Sequence, residues 1–297
     1  MKPGRFTYHA PTQLDEVLGL LAKHGDEAKV LAGGQSLMPL LNFRLAQIGH
    51  LVDINRLGAR FSAPVVEPAR LTIPALVRQR QVEHSAELLT ALPLLGQALR
   101  EVAHPQVRNR GTICGSLVHA DPAAELPAVM SVLDTTFTLA STRGIRTVEV
   151  ADFFQFHWTT AVEPDELLLE VRIRRPPPGT VTVFREFATR RGDFAMVGVA
   201  LACRRDDAGV VTDCRIAACG VAATPLRLAA AESRVLGSTL DTETLAEVES
   251  VARAEVDPTT DIHASAHYRR RLTGVLVKRA LADAAGQAAQ RRETNHV

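Results

Sequence analysis

The sequence has almost no surplus of charge: 34 lysines and arginines stand against 33 aspartates and glutamates, a net of +1. So weak a field selects neither nucleic acid nor an anionic membrane as partner. Paired cysteines are also lacking. Cys114, Cys203, Cys214 and Cys219 show no C-x-x-C spacing, so no iron–sulfur cluster is expected on this chain. They read as small buried hydrophobes with reduced thiols. No apolar run approaches the roughly 20 residues that span a bilayer, and Met1-Lys2-Pro3-Gly4-Arg5 lacks the apolar core of a signal peptide. A soluble cytoplasmic protein is expected. G-x-G-x-x-G, the Walker loop, the G-x-S-x-G elbow and the H-E-x-x-H helix are all absent. His119 has no second histidine at ligand spacing and defaults to a loop histidine, as does His104 before Pro105, so no metal site is expected.

What is present is an ordinary globular balance, 46% hydrophobic and 23% charged over 297 residues, enough for about two domains. Leu14, Val17, Leu18 and Leu21 recur at helical spacing behind Thr12 as expected N-cap, and Gly25 ends the pattern. A strand at 29–32 runs into Gly33-Gly34, a helical turn covers 37–41, and a second strand covers 51–54. This first segment is a small β-α-β-like unit with a glycine turn at its centre. Beyond it, 71–73 is strand-like, 82–103 helical with a break at Pro93, and 108–116 a glycine-punctuated loop. Asp121-Pro122 is expected to open the next helix, with the aspartate as cap. Strands are expected near 136–140, 146–150 and 167–174. Pro176-Pro177-Pro178-Gly179 is the clearest linker. After it come two apolar strands, Ala195–Cys203 and Val210–Val221, joined by a hairpin at Asp206–Gly209. Helices near 225–236, 241–256 and 264–286 and a frayed end complete the chain. The arginine runs 190–191, 204–205 and 269–271 read as solvated faces or docking surfaces.

Two loops carry chemistry. In Leu31-Ala32-Gly33-Gly34-Gln35-Ser36-Leu37, paired glycines after a strand allow a sharp turn and close approach of a ligand. Successive N–H groups there form a concavity for an anion such as a pyrophosphate, with the Ser36 hydroxyl as an added donor. A plain structural turn explains the same residues. In the second loop, the hydroxyls of Thr112 and Ser116 and the amides around Cys114 and Gly115 suit the same diphosphate. Asp121 and Glu125 follow, serving either as cap and first-turn carboxylate or as ligand contacts.

Taken together, Ala32–Ser36, Arg108–Ser116 and His119-Ala120-Asp121-Pro122-Ala123-Ala124-Glu125 resemble the medium subunits of the carbon monoxide dehydrogenase group, the FAD subunits of the xanthine dehydrogenase superfamily. The resemblance continues through Leu167–Glu170, Arg190–Ala195 and Tyr268–Arg271. It implies an α+β chain: a vanillyl-alcohol-oxidase-type FAD domain at 1–176, in subdomains of about 1–57 and 58–176, then a domain at 180–288 with a three-stranded antiparallel sheet and helices. It implies that Leu31–Leu37, Thr112, Cys114, Gly115 and Ser116 hold the FAD diphosphate. Asp121 and Glu125 would lie by the adenosine half, and Leu169 against the flavin region. It further implies a large subunit with the molybdenum–pterin cofactor, a small subunit with two 2Fe–2S clusters, an external electron acceptor and a dimer of heterotrimers.

Two departures bear on this. Cys114 stands where relatives usually carry glycine, and a positive φ there would strain it. Arg185-Glu186 stands where many relatives carry a lysine. Arg185 is the expected substitute cation near the flavin, with Glu186 opposing it. The competing readings are a self-contained FAD reductase or oxidase of the same fold and a flavin-free scaffold subunit.

Overall fold

The computed structural model describes residues 2–295, with side chains through residue 287. The chain forms two compact units. The first draws on the chain up to Ala91, on His104–Ala120 and on Thr135–Arg174. The second draws on Leu92–Ala103, Asp121–Asp134 and the chain from Arg175 onward. Two short excursions of the N-terminal half thus belong with the C-terminal stretch. Element labels run in chain order through both units.

The first unit opens with β1 (Thr7–His9), α1 (Leu14–His24), β2 (Ala28–Leu31), α2 (Leu37–Asn42) and β3 (His50–Asp53). The strands form a parallel sheet in the order β1-β3-β2. Helix α1 buries Val17, Leu18 and Leu21 in a cluster with Val52, Ile54, Phe61 and Leu76. Each fully buried aliphatic side chain there contributes about 1.5–3 kcal/mol. The N-cap is Gln13 rather than Thr12. Glu16 Oε2 accepts from both the Thr12 and Gln13 amides, at 3.1 and 3.4 Å, so the first-turn carboxylate ties down the chain that enters the helix.

A five-stranded antiparallel sheet follows: β4 (Val65–Val66), β5 (Arg70–Pro74), β6 (Thr135–Ser141), β7 (Gly144–Glu149) and β10 (Leu167–Arg174), in the order β4-β5-β10-β6-β7. Helix α9 (Val150–Phe153) and the hairpin β8 (Phe154–Phe156) and β9 (Thr159–Thr160) lie between β7 and β10 in sequence. The helical stretch expected at 82–103, broken at Pro93, is three helices: α3 (Gln79–Glu83), α4 (Ala86–Ala91) and, from the expected break, α5 (Pro93–Leu99), the last in the second unit. Pro93 starts α5 because its missing N–H costs nothing in the first turn. The loop expected at 108–116 is helical as well: α6 (Pro105–Arg110) and α7 (Ile113–His119) meet at Gly111-Thr112.

The second unit contains α8 (Glu125–Val132), β11 (Val181–Phe187), β12 (Val197–Arg205), β13 (Val211–Cys219), β14 (Leu226–Arg227), α10 (Ala229–Val235), α11 (Thr242–Glu255) and α12 (Ala266–Asn295). The expected three antiparallel strands are present, and two-residue β14 is added at the edge. Val199, Leu201 and Ile216 pack with Val248, Val277 and Leu281. Asp206 closes the expected hairpin by accepting from the Val210 amide at 2.8 Å, with Gly209 at φ +87°. Helix α8 starts at Glu125, not at Asp121. Asp121 Oδ1 instead accepts from Ala123 N at 2.9 Å, and Pro122 O accepts from Gly220 N at 2.8 Å, which holds 121–124 as a turn. Arg269 corrects the reading of 269–271 as a surface run. It is 6% exposed and donates to Met196 O, to Gly220 O at 3.0 Å and to Asp261 at 2.6 Å. The last two residues, expected to fray, lie outside the described residues.

Candidate functional site

Both glycine loops belong to the first unit, and the fold brings them together. Strand β2 ends at Leu31 and α2 starts at Leu37, so Ala32–Ser36 crosses the C-terminal edge of the parallel sheet. A Cβ at Gly33 would lie 2.6 Å from Arg110 O and 2.8 Å from Gly111 Cα, so only glycine allows the first loop to touch the second. Gly34 adopts φ +74°, a conformation that favours glycine. Among the described residues, no acceptor meets the amides of Gly33, Gly34, Gln35 and Ser36. Gly33, Gly34 and Gln35 border a cleft of about 380 Å³ also lined by Leu31, Ala32, Met38, Asp53, Asn55 and Arg110. Successive unbonded amides in such a turn form a concavity for a diphosphate.

The second loop is differently arranged. Thr112, 2% exposed, caps α7 by accepting from Gly115 N at 3.0 Å. Ile113 N donates to Val77 O at 3.1 Å and Ser116 N to Thr112 O at 3.2 Å. Cys114 sits in the first turn of α7 and is not among the residues with positive φ, so the anticipated strain is absent. Its thiol is buried against Ile73 O at 3.5 Å, and burial pushes its pKa well up.

Residues that sequence reasoning missed join the two loops. Asn55 Nδ2 donates to Ala32 O at 2.8 Å and to Asp53 Oδ1 at 2.6 Å. The Arg78 guanidinium donates to Asn55 Oδ1 and to Arg110 O. Burial, and then Arg110, pull the Arg78 pKa down. Burial raises that of Asp53, but hydrogen bonds from Tyr8 and Asn55 outweigh it and hold the carboxyl below the usual range. No local motif flags Asn55 or Arg78. Each merely follows a strand, β3 and β5, by a few residues.

Leu169 is the extra residue of a bulge in β10, between Leu168 and Glu170. Its carbonyl accepts from Ala75 N at 2.8 Å, and it packs on the same apolar cluster as Ala32. A bulge of this kind re-aims a side chain next to a site. Asp121, Glu125 and Arg185 belong to the second unit. Glu125 is 7% exposed, and burial, then Asp121 and Glu101, push its pKa up to about 7. Arg185 is paired with Asp283 of α12, Nε to Oδ2 at 2.6 Å. Burial, then Glu125 and Glu101, push Glu186 up to about 8, and its Oε2 has no partner among the described residues. At pH 7 Glu186 is therefore mostly uncharged and does not oppose Arg185 as an anion would.

A Gly-Gly turn with open amides, at the C-terminal edge of a small parallel sheet, is a turn of the kind that suits the diphosphate of a nucleotide cofactor. Residues 4–176 match the family described as the FAD binding domain in molybdopterin dehydrogenase, and residues 182–284 the CO dehydrogenase flavoprotein C-terminal domain. Over its whole length the chain is similar to known subunits. It is 38% identical to the 6-hydroxypseudooxynicotine dehydrogenase complex subunit alpha of Paenarthrobacter nicotinovorans, over 99% of each chain. It is 37% identical to the caffeine dehydrogenase subunit beta of Pseudomonas sp. strain CBB1, over 96% of each. The carbon monoxide dehydrogenase of Hydrogenophaga pseudoflava, in a form lacking the Mo-pyranopterin moiety, superposes with TM-score 0.92 at 37% identity, covering 97% of this chain and 99% of the other. The chain belongs to the family of FAD-binding medium subunits of molybdenum hydroxylases. It is an oxidoreductase subunit. No helix among the described residues is long and apolar enough to cross a membrane.

Proposed function

We propose that this chain is the electron-transfer link of a molybdenum hydroxylase, placed between a small iron–sulfur subunit and an external acceptor. Substrate is hydroxylated on a large molybdenum–pterin subunit, and electrons reach this chain through two 2Fe–2S clusters. Bound flavin would supply a centre that can exchange electrons one or two at a time. The observation that carries the reading is the run of unbonded amides at Gly33–Ser36, three of them on residues that line the cleft. Ala32–Leu37 bind the diphosphate, with Leu31 behind them and Thr112, Cys114, Gly115 and Ser116 along the border. Asp121 and Glu125 serve the adenosine half, and Leu169 and Arg185 the flavin side. In sequence, 1–176 forms the FAD domain and 180–288 the C-terminal domain. The assembly is a dimer of heterotrimers in the cytoplasm.

The relatives are named for unlike substrates, a pseudooxynicotine and caffeine. That supports reading substrate choice as a property of the large subunit. Cys114 and the missing lysine are the features that favour the flavin-free alternative; of these, Cys114 has a helical backbone and an inward thiol.

The test is the absorption spectrum and polypeptide content of the chain purified with its co-expressed partners. Flavin bands, iron–sulfur absorbance and two further polypeptides are expected. A colourless chain, or one that turns over NAD(P)H unaided, would overturn the reading.

A further inference from the structure

Three histidines that no sequence motif connects come together in the first unit. His9 ends β1, His24 ends α1 and His50 opens β3. Each is half-buried, and one ring nitrogen from each lies within 4.8 Å of the others. His9 Nε2 and His50 Nδ1 share a hydrogen bond of 3.0 Å. The rings of His24 and His50 are stacked with centroids 3.5 Å apart.

We propose that His9, His24 and His50 form a binding site for one divalent transition-metal ion of the zinc type. Neutral imidazole nitrogen is the ligand such ions favour, and three with an open fourth position is a familiar zinc set. The bond between His9 and His50 leaves one of its two nitrogens unprotonated, and on metal binding the donor ring's proton moves to its other nitrogen, so that both lone pairs face the ion. A zinc ion about 2.0–2.1 Å from each nitrogen needs nitrogens about 3.3 Å apart in tetrahedral geometry. The half-buried rings must therefore close by about 1.5 Å at most, and His24 must turn out of its stack. The backbone that presents them is fixed. Gly49, before His50, donates to Glu27 O at 2.9 Å and accepts from Thr7 N at 2.8 Å. The Glu27 carboxylate borders Gly49, and its charge acts on His24. It is placed to offset part of the ion's charge.

The site is structural rather than catalytic. His50 pairs with Ala28 at the start of β2, whereas the glycine loop leaves from the other end of that strand. A bound ion would cross-link β1, α1 and β3 without entering the cleft.

The experiment uses the full chain, flavin-loaded and in its native assembly, after treatment with a chelator. Zn²⁺ alone is titrated against a chromophoric competitor, and Co²⁺ is added in a parallel sample. One ion per chain is expected, with a rise in Tm at unchanged flavin content. His24→Ala should weaken binding by roughly tenfold or more, and the triple variant H9N/H24A/H50N should abolish that ion. The cobalt sample should show the intense visible bands of a four-coordinate imidazole-bound ion. Failure to bind one ion per chain, a triple variant that binds as wild type does, or six-coordinate cobalt would each overturn the proposal. Should the variants not fold, the cobalt spectrum of the wild-type chain decides alone.

Discussion

The two glycine loops look alike in sequence and differ in the fold. Each places glycines beside a short helix in the first unit. At Gly33–Ser36 the amides meet no acceptor among the described residues, and the loop lines a cleft. At Thr112–Ser116 the amides of Ile113, Gly115 and Ser116 are already bonded inside the protein. The first loop leaves its amides open to a ligand. The second is built to be stiff, so that Gly111 can stand against Gly33. A glycine-rich motif can thus mark either a ligand cradle or the wall that positions one. Whether its amides already have acceptors tells the two apart.

The largest effect should come from closing the gap between the loops. Gly33→Val would place side-chain carbons into Arg110 O and Gly111 Cα. Overpacking of that kind costs about 1–3 kcal/mol, and every 1.4 kcal/mol taken from flavin binding is about tenfold in affinity. Flavin content after dialysis, with far-UV circular dichroism as the folding control, should fall by at least about tenfold. Gly115→Ala is the contrast. Its Cβ would meet Thr112 Oγ1 at 2.6 Å and disturb only the cap. That should cost about 1 kcal/mol of stability and leave flavin content within about threefold. Equal flavin loss in both variants would break the distinction.

Much of this arrangement was legible in the sequence. The strand, glycine pair and helix of 28–42 announce themselves by apolar runs and a breaker. So do the hairpin of β12 and β13 and the helices after it. What was not legible depended on partners distant in sequence. Helices α6 and α7 hid inside what reads as a loop, because Pro105 and Thr112 start them while Gly111 lies between. Asp121 followed by proline is a good helix start in isolation. The tether from Gly220 N to Pro122 O, 98 positions apart, holds it as a turn. Arg269 reads as surface charge until Met196 O and Gly220 O are seen to surround it. The pairing of Arg185 with Asp283, 98 positions away, is likewise invisible in the sequence.

Arg78 sharpens the comparison, since it is the side chain that bonds to the frames of both loops. It donates to Arg110 O on one side and to Asn55 Oδ1 on the other, and Asn55 in turn holds Ala32 O. Arg78→Met keeps most of the stem and removes the guanidinium. Hydrogen bonds to a charged group contribute about 1.5–3 kcal/mol, so Tm should fall by roughly 3–10 °C. Flavin affinity should drop with it, because the spacing of the loops is no longer fixed. Thermal denaturation paired with flavin titration separates the cases. A fall in Tm without loss of affinity would mean that the first loop keeps its shape unaided.

The smallest effect is expected at Cys114, where the sequence alone suggested the most trouble. Its backbone is helical and its side chain is buried, so glycine there would remove packing and loosen the first turn of α7. Cys114→Gly should cost about 1 kcal/mol of stability, the usual penalty for glycine in a helix. It should leave flavin affinity unchanged. The buried thiol, with its pKa pushed up, should also resist alkylation in the native chain. The measurement is flavin titration beside thermal denaturation. Tighter flavin binding by the glycine variant would mean that the second loop must open to serve the cofactor. Its bonded amides would then be a resting arrangement rather than a wall, and the difference between the loops would be one of state, not of construction.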